Sequence, residues 1–256
     1  MLKLFHLRYL SRSFMKKLKH QINRYIYHRK HRMLPDVSGG TGACGQDMFV
    51  AELLNNKHNG VFVDIGANDG VTISNTAYLE KHLNWTGVAI EPIPNVFEKL
   101  KSNRKCSVLN ACVTPEPGKA KFLEVVNGPD MLSTLAIHNH GLTARRLRKN
   151  VKRHGATIKE REVHCLTFDF IIKDNGISTI DFLSIDTEGG ELEILQSIDF
   201  ERINVKVISV ENNYYTDSIR EYLENRGFIY IGTFKVDEIY LFGGPSIRDS
   251  LTPLFF

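Results

Sequence analysis

The chain is poor in cysteine and has no long apolar run. Its four cysteines, Cys44, Cys106, Cys112 and Cys165, form no C-x-x-C pair among 256 residues. This spacing indicates neither a zinc site nor a disulfide framework, so a reducing compartment such as the cytoplasm is the simpler interpretation. No run of about 18 or more apolar residues occurs in the sequence, which excludes a conventional membrane-spanning helix.

Acidic residues are absent from residues 1–33, which contain ten Lys or Arg. Leu4, Leu7, Leu18 and Ile22 recur near helical spacing among the basic residues, and this pattern predicts a basic amphipathic helix. Four interpretations stay open: contact with an anionic membrane, contact with nucleic acid, an organelle presequence, or a solvated leader. The apolar residues are never consecutive enough to form a secretory signal.

The rest of the chain is mildly acidic and long enough for one catalytic domain. Outside residues 1–33 there are 23 basic and 29 acidic residues, and 42% of the whole chain is hydrophobic. Pro35 and the glycines that follow it indicate a flexible joint. We therefore predict a leader at 1–33, a joint at 34–44, a domain at 45–242 and a loose tail at 243–256.

Residues 61–70 hold the first candidate site. The apolar run Val-Phe-Val-Asp-Ile predicts a buried parallel strand, and Gly66 and Gly70 follow it four residues apart. Glycines in such a loop let main-chain N–H groups approach a ligand, while Asp64 would accept hydrogen bonds from it. The spacing differs from the G-x-G-x-x-G of dinucleotide sites, so an ordinary glycine turn stays open as the alternative.

Two further apolar runs support a cofactor site. Residues 87–91 predict a second strand that ends in Glu91, at about the distance where such folds place a ribose-binding acid. Residues 107–113 predict a third strand. Asn110 near its end would either read an adenine edge or serve as an ordinary turn residue.

Carboxylates also follow the strands predicted in the second half of the domain. Asp186 ends the apolar run 180–186, with Glu188 two residues later, and Glu211 follows the run 205–210. Between the halves lies a polar insertion at 127–160 that contains a basic helix over 142–154. This helix would bind an anionic group or present a solvated face. The alternation of strands and helices predicts an α/β doubly wound sheet that closes with an antiparallel strand pair.

An ordered set of motifs over about residues 46–242 resembles the FkbM family of S-adenosylmethionine-dependent methyltransferases. The residues that carry the resemblance are Asp64-Ile65-Gly66-Ala67-Asn68-Asp69-Gly70, Ser74-Asn75-Thr76, Leu79-Glu80, Trp85-x-Gly87, Glu91-Pro92, Asn103-Arg104 and Ser184-Ile185-Asp186-Thr187-Glu188-Gly189-Gly190-Glu191. The resemblance implies a seven-stranded Rossmann-like methyltransferase sheet. It also implies methylation of a hydroxyl on a sugar, glycan or other small molecule.

The resemblance also implies roles for individual residues. Asp186 would lie beside the transferred methyl group as the base or orienting group, with Glu188 and Glu211 in support. The alternative for Glu188 is helix capping. The cofactor-binding residues carried over are Asp64, Gly66, Ala67, Asn68, Gly70, Glu91, Pro92 and Asn110.

Several alternatives stay open beside this assignment. A divalent cation held by Asp186, Glu211 and Asn212 would activate the acceptor instead of a base. A non-catalytic module of the same fold would dock to a membrane or nucleic acid through residues 1–33. A nucleic-acid methyltransferase fits the basic leader but not the acidic body, and the chain lacks the Asn-Pro-Pro-aromatic and Pro-Cys motifs of base methylation. His138, His140 and His164 are secondary base candidates.

Overall fold

The computed structural model describes residues 33–243. The predicted leader helix and C-terminal tail lie outside these residues, apart from Met33 and Gly243. None of the described helices is long and apolar enough to cross a membrane.

The described chain contains eleven strands and seven α-helices. The strands are β1 (Val61–Ile65), β2 (Thr86–Ile90), β3 (Ser107–Leu109), β4 (Cys112–Val113), β5 (Gly118–Val126), β6 (Thr134–Leu135), β7 (Thr157–Leu166), β8 (Thr179–Ile185), β9 (Asn204–Glu211), β10 (Phe228–Phe234) and β11 (Asp237–Phe242). The helices are α1 (Gln46–Leu53), α2 (Ala77–Leu83), α3 (Pro94–Asn103), α4 (Gly141–His154), α5 (Phe168–Asp174), α6 (Glu191–Ser197) and α7 (Ser218–Glu224).

Seven of the strands form the main sheet, in the order β10-β11-β9-β8-β1-β2-β3. Strands β3, β2, β1, β8 and β9 run parallel to one another, and β11 is antiparallel to both β9 and β10. The predicted doubly wound seven-stranded sheet with a terminal antiparallel pair is therefore confirmed. The parallel strands place all their carboxyl ends at one edge of the sheet.

Helices cover both faces of this sheet, so its central strands are apolar on both sides. On one face, neighbouring side chains of three strands pack against α1 and α2; these are Phe62, Phe182 and Val207. On the other face, the next residues of the same strands pack against α5, α6 and α7; these are Val63, Leu183 and Ile208.

A second sheet of four strands, in the order β4-β7-β5-β6, was not predicted. The single strand expected over 107–113 is wrong: β3 ends at Leu109 in the main sheet, and β4 begins at Cys112 in the second. The chain leaves the main sheet at Asn110, whose amide donates to the Glu91 carbonyl at 2.8 Å. Both halves are apolar, so the sequence carries no sign of this change of partner.

Residues 34–44 are tied to the domain rather than loosely attached. Leu34 is buried, and its N–H donates to the Thr233 carbonyl at 2.9 Å. Thr41 donates its hydroxyl to Asp47 at 2.7 Å and to the Ser74 carbonyl at 2.8 Å. The segment predicted as a flexible joint is therefore packed against the domain, because Leu34 and Thr41 bind the backbone of Thr233 and Ser74.

Candidate active site

A cavity of about 250 Å³ opens at the carboxyl edge of the main sheet. Its walls come from the ends of β1, β2, β8 and β9, and from the insertion between β5 and β7. Most of the predicted site residues line it: Asp64, Gly66, Ala67, Asn68, Glu91, Pro92, Asp186, Glu188 and Glu211. Gly70 and Asn110 are not among the lining residues.

Gly66 sets how closely the loops after β1 and β8 approach each other. Its φ is +86°, and a Cβ at this position would lie 1.8 Å from the carbonyl oxygen of Asp186. The Asp186 N–H also donates to the Ile65 carbonyl at 3.0 Å. A residue without a side chain therefore brings the Asp186 backbone against the glycine loop.

Glu91 is anchored by the backbone on both sides of the cavity floor. Its carboxylate accepts hydrogen bonds from the Asn68 N–H at 3.1 Å and from the Ile93 N–H at 2.8 Å. Burial nevertheless raises the pKa of Glu91 to about 7, against the lowering effect of these two donors. The side chain is thus fixed in place, and its protonation changes near neutral pH.

Asp64 lies at the end of β1 within a buried hydrogen-bond network. Its carboxylate accepts from the Thr76 hydroxyl at 2.5 Å, and Arg104 donates to the same hydroxyl oxygen at 3.0 Å. Burial raises the pKa of Asp64, and Thr76 and Arg104 oppose that rise. Gly70 serves this network, because a Cβ there would lie 2.7 Å from the Arg104 side chain.

Three carboxylates predicted at the ends of two neighbouring strands meet at the other side of the cavity. Asp186, Glu188 and Glu211 each offer an oxygen within 4.8 Å of the others. One oxygen of Glu211 is buried and has no hydrogen-bond partner. Asp186 faces the open cavity, whereas the other two side chains are buried.

Arg146 supplies a positive charge to this acidic cluster. It reaches in from α4 and forms an ion pair with Glu188, and its guanidinium lies 4.0 Å from Glu211. Sequence reasoning predicted a basic helix here but did not single out Arg146. The signal was available: Thr143, Arg146, Leu147 and Asn150 follow an i, i+3, i+4, i+7 spacing, so this arginine shares a face with uncharged residues.

The crowding of acids changes their protonation. Asp186 is exposed to the cavity, but the cavity walls enclose its carboxylate, and this desolvation, followed by repulsion from Asp237 and Glu191, raises the pKa of Asp186 to about 7. Burial and repulsion from Asp186 also raise the pKa of Glu211 well above its ordinary value, against the attraction of Arg146. The Asp186 and Glu211 carboxylates each offer an oxygen within 4.8 Å of the other, so the two carboxyl groups titrate as a pair.

Helix capping, the alternative role for Glu188, is not seen, because no side chain caps the N-terminus of α6; Glu191 instead fixes the turn that precedes the helix. The Glu191 carboxylate accepts from the N–H groups of Thr187 at 3.0 Å and Gly189 at 2.9 Å. Glu188 turns the other way, toward Arg146 and toward the Asn213 amide at 3.3 Å. Glu188 therefore belongs to the acidic cluster.

The metal-ligand set proposed from the sequence is wrong in one member. Asn212 points away from the cluster: its amide nitrogen donates to the Thr216 carbonyl at 2.8 Å and to Glu238 at 3.2 Å. Its side-chain oxygen accepts from the Thr216 N–H at 3.1 Å. Glu188 takes the third position, because the turn after β8 brings it back over the end of β9.

Other cavity residues were missed or only grouped with others by sequence reasoning. Asp237, at the start of β11, accepts from the Gln46 amide at 2.6 Å, and burial raises its pKa to about 6. His138 lines the cavity, whereas His140 and His164 are not among its lining residues. Asp237 was missed because it lies at the start of β11, just after a turn, and not at the end of an apolar run.

A doubly wound sheet with this strand order, a glycine loop after β1 and acids at the ends of β2, β8 and β9 defines the class of Rossmann-like methyltransferase domains. The family profile described as "Methyltransferase FkbM domain" matches residues 64–230. This match spans more than half of the chain, which belongs to the FkbM methyltransferase family. Membership implies S-adenosylmethionine as the methyl donor.

Solved structures are similar at low sequence identity. A methyltransferase FkbM from Methylobacillus flagellatus KT is 14% identical, with a TM-score of 0.46, and the match covers 86% of this chain and 50% of that protein. The N-terminal domain of human METTL16 is 14% identical, with a TM-score of 0.42 and coverage of 82% and 71%. This chain thus spans half the length of the Methylobacillus protein. Comparison with curated proteins gave no match.

Proposed function

We propose that this protein transfers a methyl group from S-adenosylmethionine to a hydroxyl of a sugar, glycan or other small molecule. The observation that carries the proposal is the Asp186 carboxylate, which faces the cavity among other acids with its pKa raised to about 7. A hydroxyl is a poor nucleophile until its proton is removed. A base whose pKa lies near the working pH suits that task.

The residues of the cavity fit the methyl donor. When bound, S-adenosylmethionine supplies an electrophilic methyl group on a positively charged sulfur. The acidic wall formed by Asp64, Asp186 and Glu211 favours that charge, and Glu91 is held in position to accept hydrogen bonds from ribose hydroxyls. The loop from Gly66 to Asn68 brings backbone against the cavity without a bulky side chain. Pro92 lines the same wall.

Asn110 and Gly70 support the cofactor site indirectly. Asn110 fixes the Glu91 backbone through its amide, and Gly70 leaves room for Arg104 behind Asp64. Direct contact of Asn110 with adenine stays a prediction, because Asn110 is not among the residues that line the cavity.

Asp186 accepts the proton of the acceptor hydroxyl in this proposal. Glu211 offers a carboxylate oxygen within 4.8 Å of Asp186, close enough for the two carboxyl groups to share the proton. Arg146 holds Glu188 and limits the negative charge that the cluster accumulates. Alignment of the acceptor oxygen with the methyl group supplies much of the remaining rate.

A divalent cation bound by Asp186, Glu188 and Glu211 is the alternative way to activate the hydroxyl. Carboxylate oxygens suit magnesium or manganese, and the three lie close enough together. However, Arg146 already supplies positive charge to this cluster. We therefore expect turnover to survive exhaustive chelation, and loss of turnover that magnesium restores would favour the cation.

Substitution of Asp186 tests the proposed base. We expect Asp186→Asn to keep its affinity for S-adenosylmethionine in calorimetry and to lose about 10²- to 10⁴-fold in turnover. Turnover is measured with radiolabelled methyl donor against sugars, glycans and lipid extracts. Asp174→Asn is the matched control, because Asp174 is exposed at the end of α5. Full activity of Asp186→Asn would eliminate this residue as the base.

The same screen addresses the two rival functions. A non-catalytic module would bind the methyl donor and transfer nothing to any acceptor. A nucleic-acid methyltransferase would label oligonucleotides in preference to sugars, with a strong dependence on salt.

A further inference from the structure

The outer face of α4 is a strongly basic surface beside the cavity. Helix α4 contains no acidic residue, and five of its basic side chains are exposed. These are Arg145, Arg148, Lys149, Lys152 and Arg153. None of the five makes an ion pair with another residue of the described part of the chain, whereas Arg146 on the inner side pairs with Glu188.

Exposed aliphatic side chains accompany this basic face. Ile137, 74% exposed, precedes the cavity-lining His138, and the exposed Leu142 lies in the first turn of α4. Ile73 and Met131 both line the cavity and are exposed at its mouth. Four of the large exposed apolar side chains of the described residues therefore lie on segments that line or border the cavity, although others, such as Phe170 and Phe242, lie elsewhere.

We propose that the exposed basic face of α4, together with Ile137 and Leu142, docks the protein on an anionic membrane. Basic side chains would contact lipid phosphates while the aliphatic side chains enter the headgroup region. Residues 127–160 contain no Phe, Tyr or Trp. Surfaces that bind single-stranded nucleic acid use aromatic side chains to stack bases, so the composition favours lipid.

The orientation of this surface carries a consequence for the substrate, which rests on the proposed function. Docking through α4 brings the cavity, which Arg146 of the same helix lines, close to the bilayer. The acceptor hydroxyl then belongs to a molecule held at the membrane, such as a lipid-linked sugar. The acidic cavity interior repels free phosphate, so the phosphates stay with the basic residues outside.

Vesicle flotation of the full chain tests the surface. Arg145, Lys149 and Lys152 follow an i, i+4, i+7 spacing on one stripe of α4. We expect the triple variant Arg145→Glu, Lys149→Glu and Lys152→Glu to bind mixed phosphatidylglycerol and phosphatidylcholine vesicles about 100-fold more weakly than the unchanged chain, because each basic residue near an anionic surface contributes about 5-fold. Vesicles of phosphatidylcholine alone should bind neither protein.

The matched control reverses three exposed lysines elsewhere, with Lys81→Glu, Lys101→Glu and Lys105→Glu. It changes the net charge equally and retains residues 1–33, so vesicle binding should stay close to that of the unchanged chain. An equal loss of vesicle binding in both triple variants would mean that only the net charge of the protein matters, and the proposal would be wrong. Calorimetry with S-adenosylmethionine should give the same affinity for all three proteins, which separates failure of docking from failure of the proposed function.

A fluorescent label distinguishes α4 from the basic leader. An environment-sensitive fluorophore attached to Ile137→Cys should shift to the blue on anionic vesicles, whereas the same label on Lys101→Cys should not shift. Flotation without a shift at position 137 would mean that the leader alone holds the membrane, and the proposal would be wrong. Binding of an oligonucleotide with the same dependence on the three basic residues, without vesicle binding, would equally overturn it.

Discussion

At the scale of single residues, Glu91 and Asp186 lie on two sides of the cavity and are held in different ways. Glu91 is held by two backbone N–H groups and is set for binding, whereas Asp186 faces the cavity, where desolvation and then the neighbouring acids favour its protonated form. Both carboxyl groups have a pKa of about 7. Binding of the methyl donor and removal of the acceptor proton should therefore both respond to pH near neutrality.

Glu91→Ala should weaken the binding of S-adenosylmethionine by about 10- to 100-fold, since hydrogen bonds to a charged group contribute about 1.5 to 3 kcal/mol each. The deprotonated form of Glu91 is the better acceptor, so the affinity of the unchanged chain should rise as the pH increases through about 7. Calorimetry at several pH values measures both effects.

Glu98→Ala on α3 is the matched control for this substitution, because the Glu98 side chain is exposed. The thermal midpoint of Glu91→Ala must also be recorded, since Asn68 and Ile93 lose an acceptor. Unchanged affinity in a folded Glu91→Ala protein would remove this residue from the cofactor site.

At the scale of elements, the sequence predicted where strands lie better than it predicted which strands pair with each other. Asp186 and Glu211 were predicted because each ends an apolar run, and the carboxyl ends of parallel strands share one edge of the sheet. Helix α5 was missed, although Thr167 caps it by accepting from the Phe170 N–H at 3.2 Å. The second sheet was missed because β3 and β4 form one apolar run in the sequence, and no pattern shows that β5 pairs with β7 outside the main sheet.

Helix α4 shows why the site was only partly predictable. Its six basic residues look equivalent in composition, and which of them points inward depends on how the helix packs. Ala144 and Leu147 are buried, and this orientation turns Arg146 toward Glu188 while its neighbours face solvent. The contribution of α4 to the site is therefore a consequence of tertiary packing.

Arg146→Met should move the acidic limb of the pH-rate profile to higher pH. Removal of the guanidinium leaves Glu188 and Glu211 without their cation, so their charge raises the pKa of Asp186 further, by about one unit or more. The base is then protonated over a wider range, and turnover at pH 7 falls. Turnover measured from pH 6 to 9 follows the shift.

Two variants control this experiment. Arg146→Lys keeps the positive charge and should retain most of the original profile, and Arg145→Met removes an exposed charge from the same helix. An unshifted profile for Arg146→Met would show that Arg146 does not influence the base.

At the scale of the whole molecule, residues 33–44 belong to the domain. Removal of residues 1–32 should leave turnover on a soluble small-molecule acceptor within about twofold of the full chain, because the cavity walls come from the described residues. A longer deletion to residue 40 should lower the thermal midpoint, since it removes the buried Leu34. Loss of turnover on a soluble acceptor after the shorter deletion would instead implicate the leader in catalysis.

Buried acids should also make the stability of the whole molecule depend on pH. Glu238 is fully buried on β11, accepts from the Tyr240 hydroxyl at 2.5 Å, and has its pKa raised by burial from 4.5 to about 8. The folded state thus holds a proton that the unfolded state releases above pH 4.5. The free energy of unfolding should therefore fall as the pH rises from about 4.5 to 8.

Glu238→Gln isolates this contribution, because an amide keeps the shape of the side chain and cannot ionise. The difference in thermal midpoint between Glu238→Gln and the unchanged chain should be more favourable to the variant at pH 8 than at pH 5. At pH 8 the Glu238 carboxyl must stay protonated at a cost in free energy for the protein to remain folded, whereas the amide carries no such cost. Glu116→Gln, at an exposed position, should show no such difference. Equal effects of Glu238→Gln at both pH values would mean that Glu238 keeps an ordinary pKa inside the sheet, so that the pH dependence must come from the acids of the cavity.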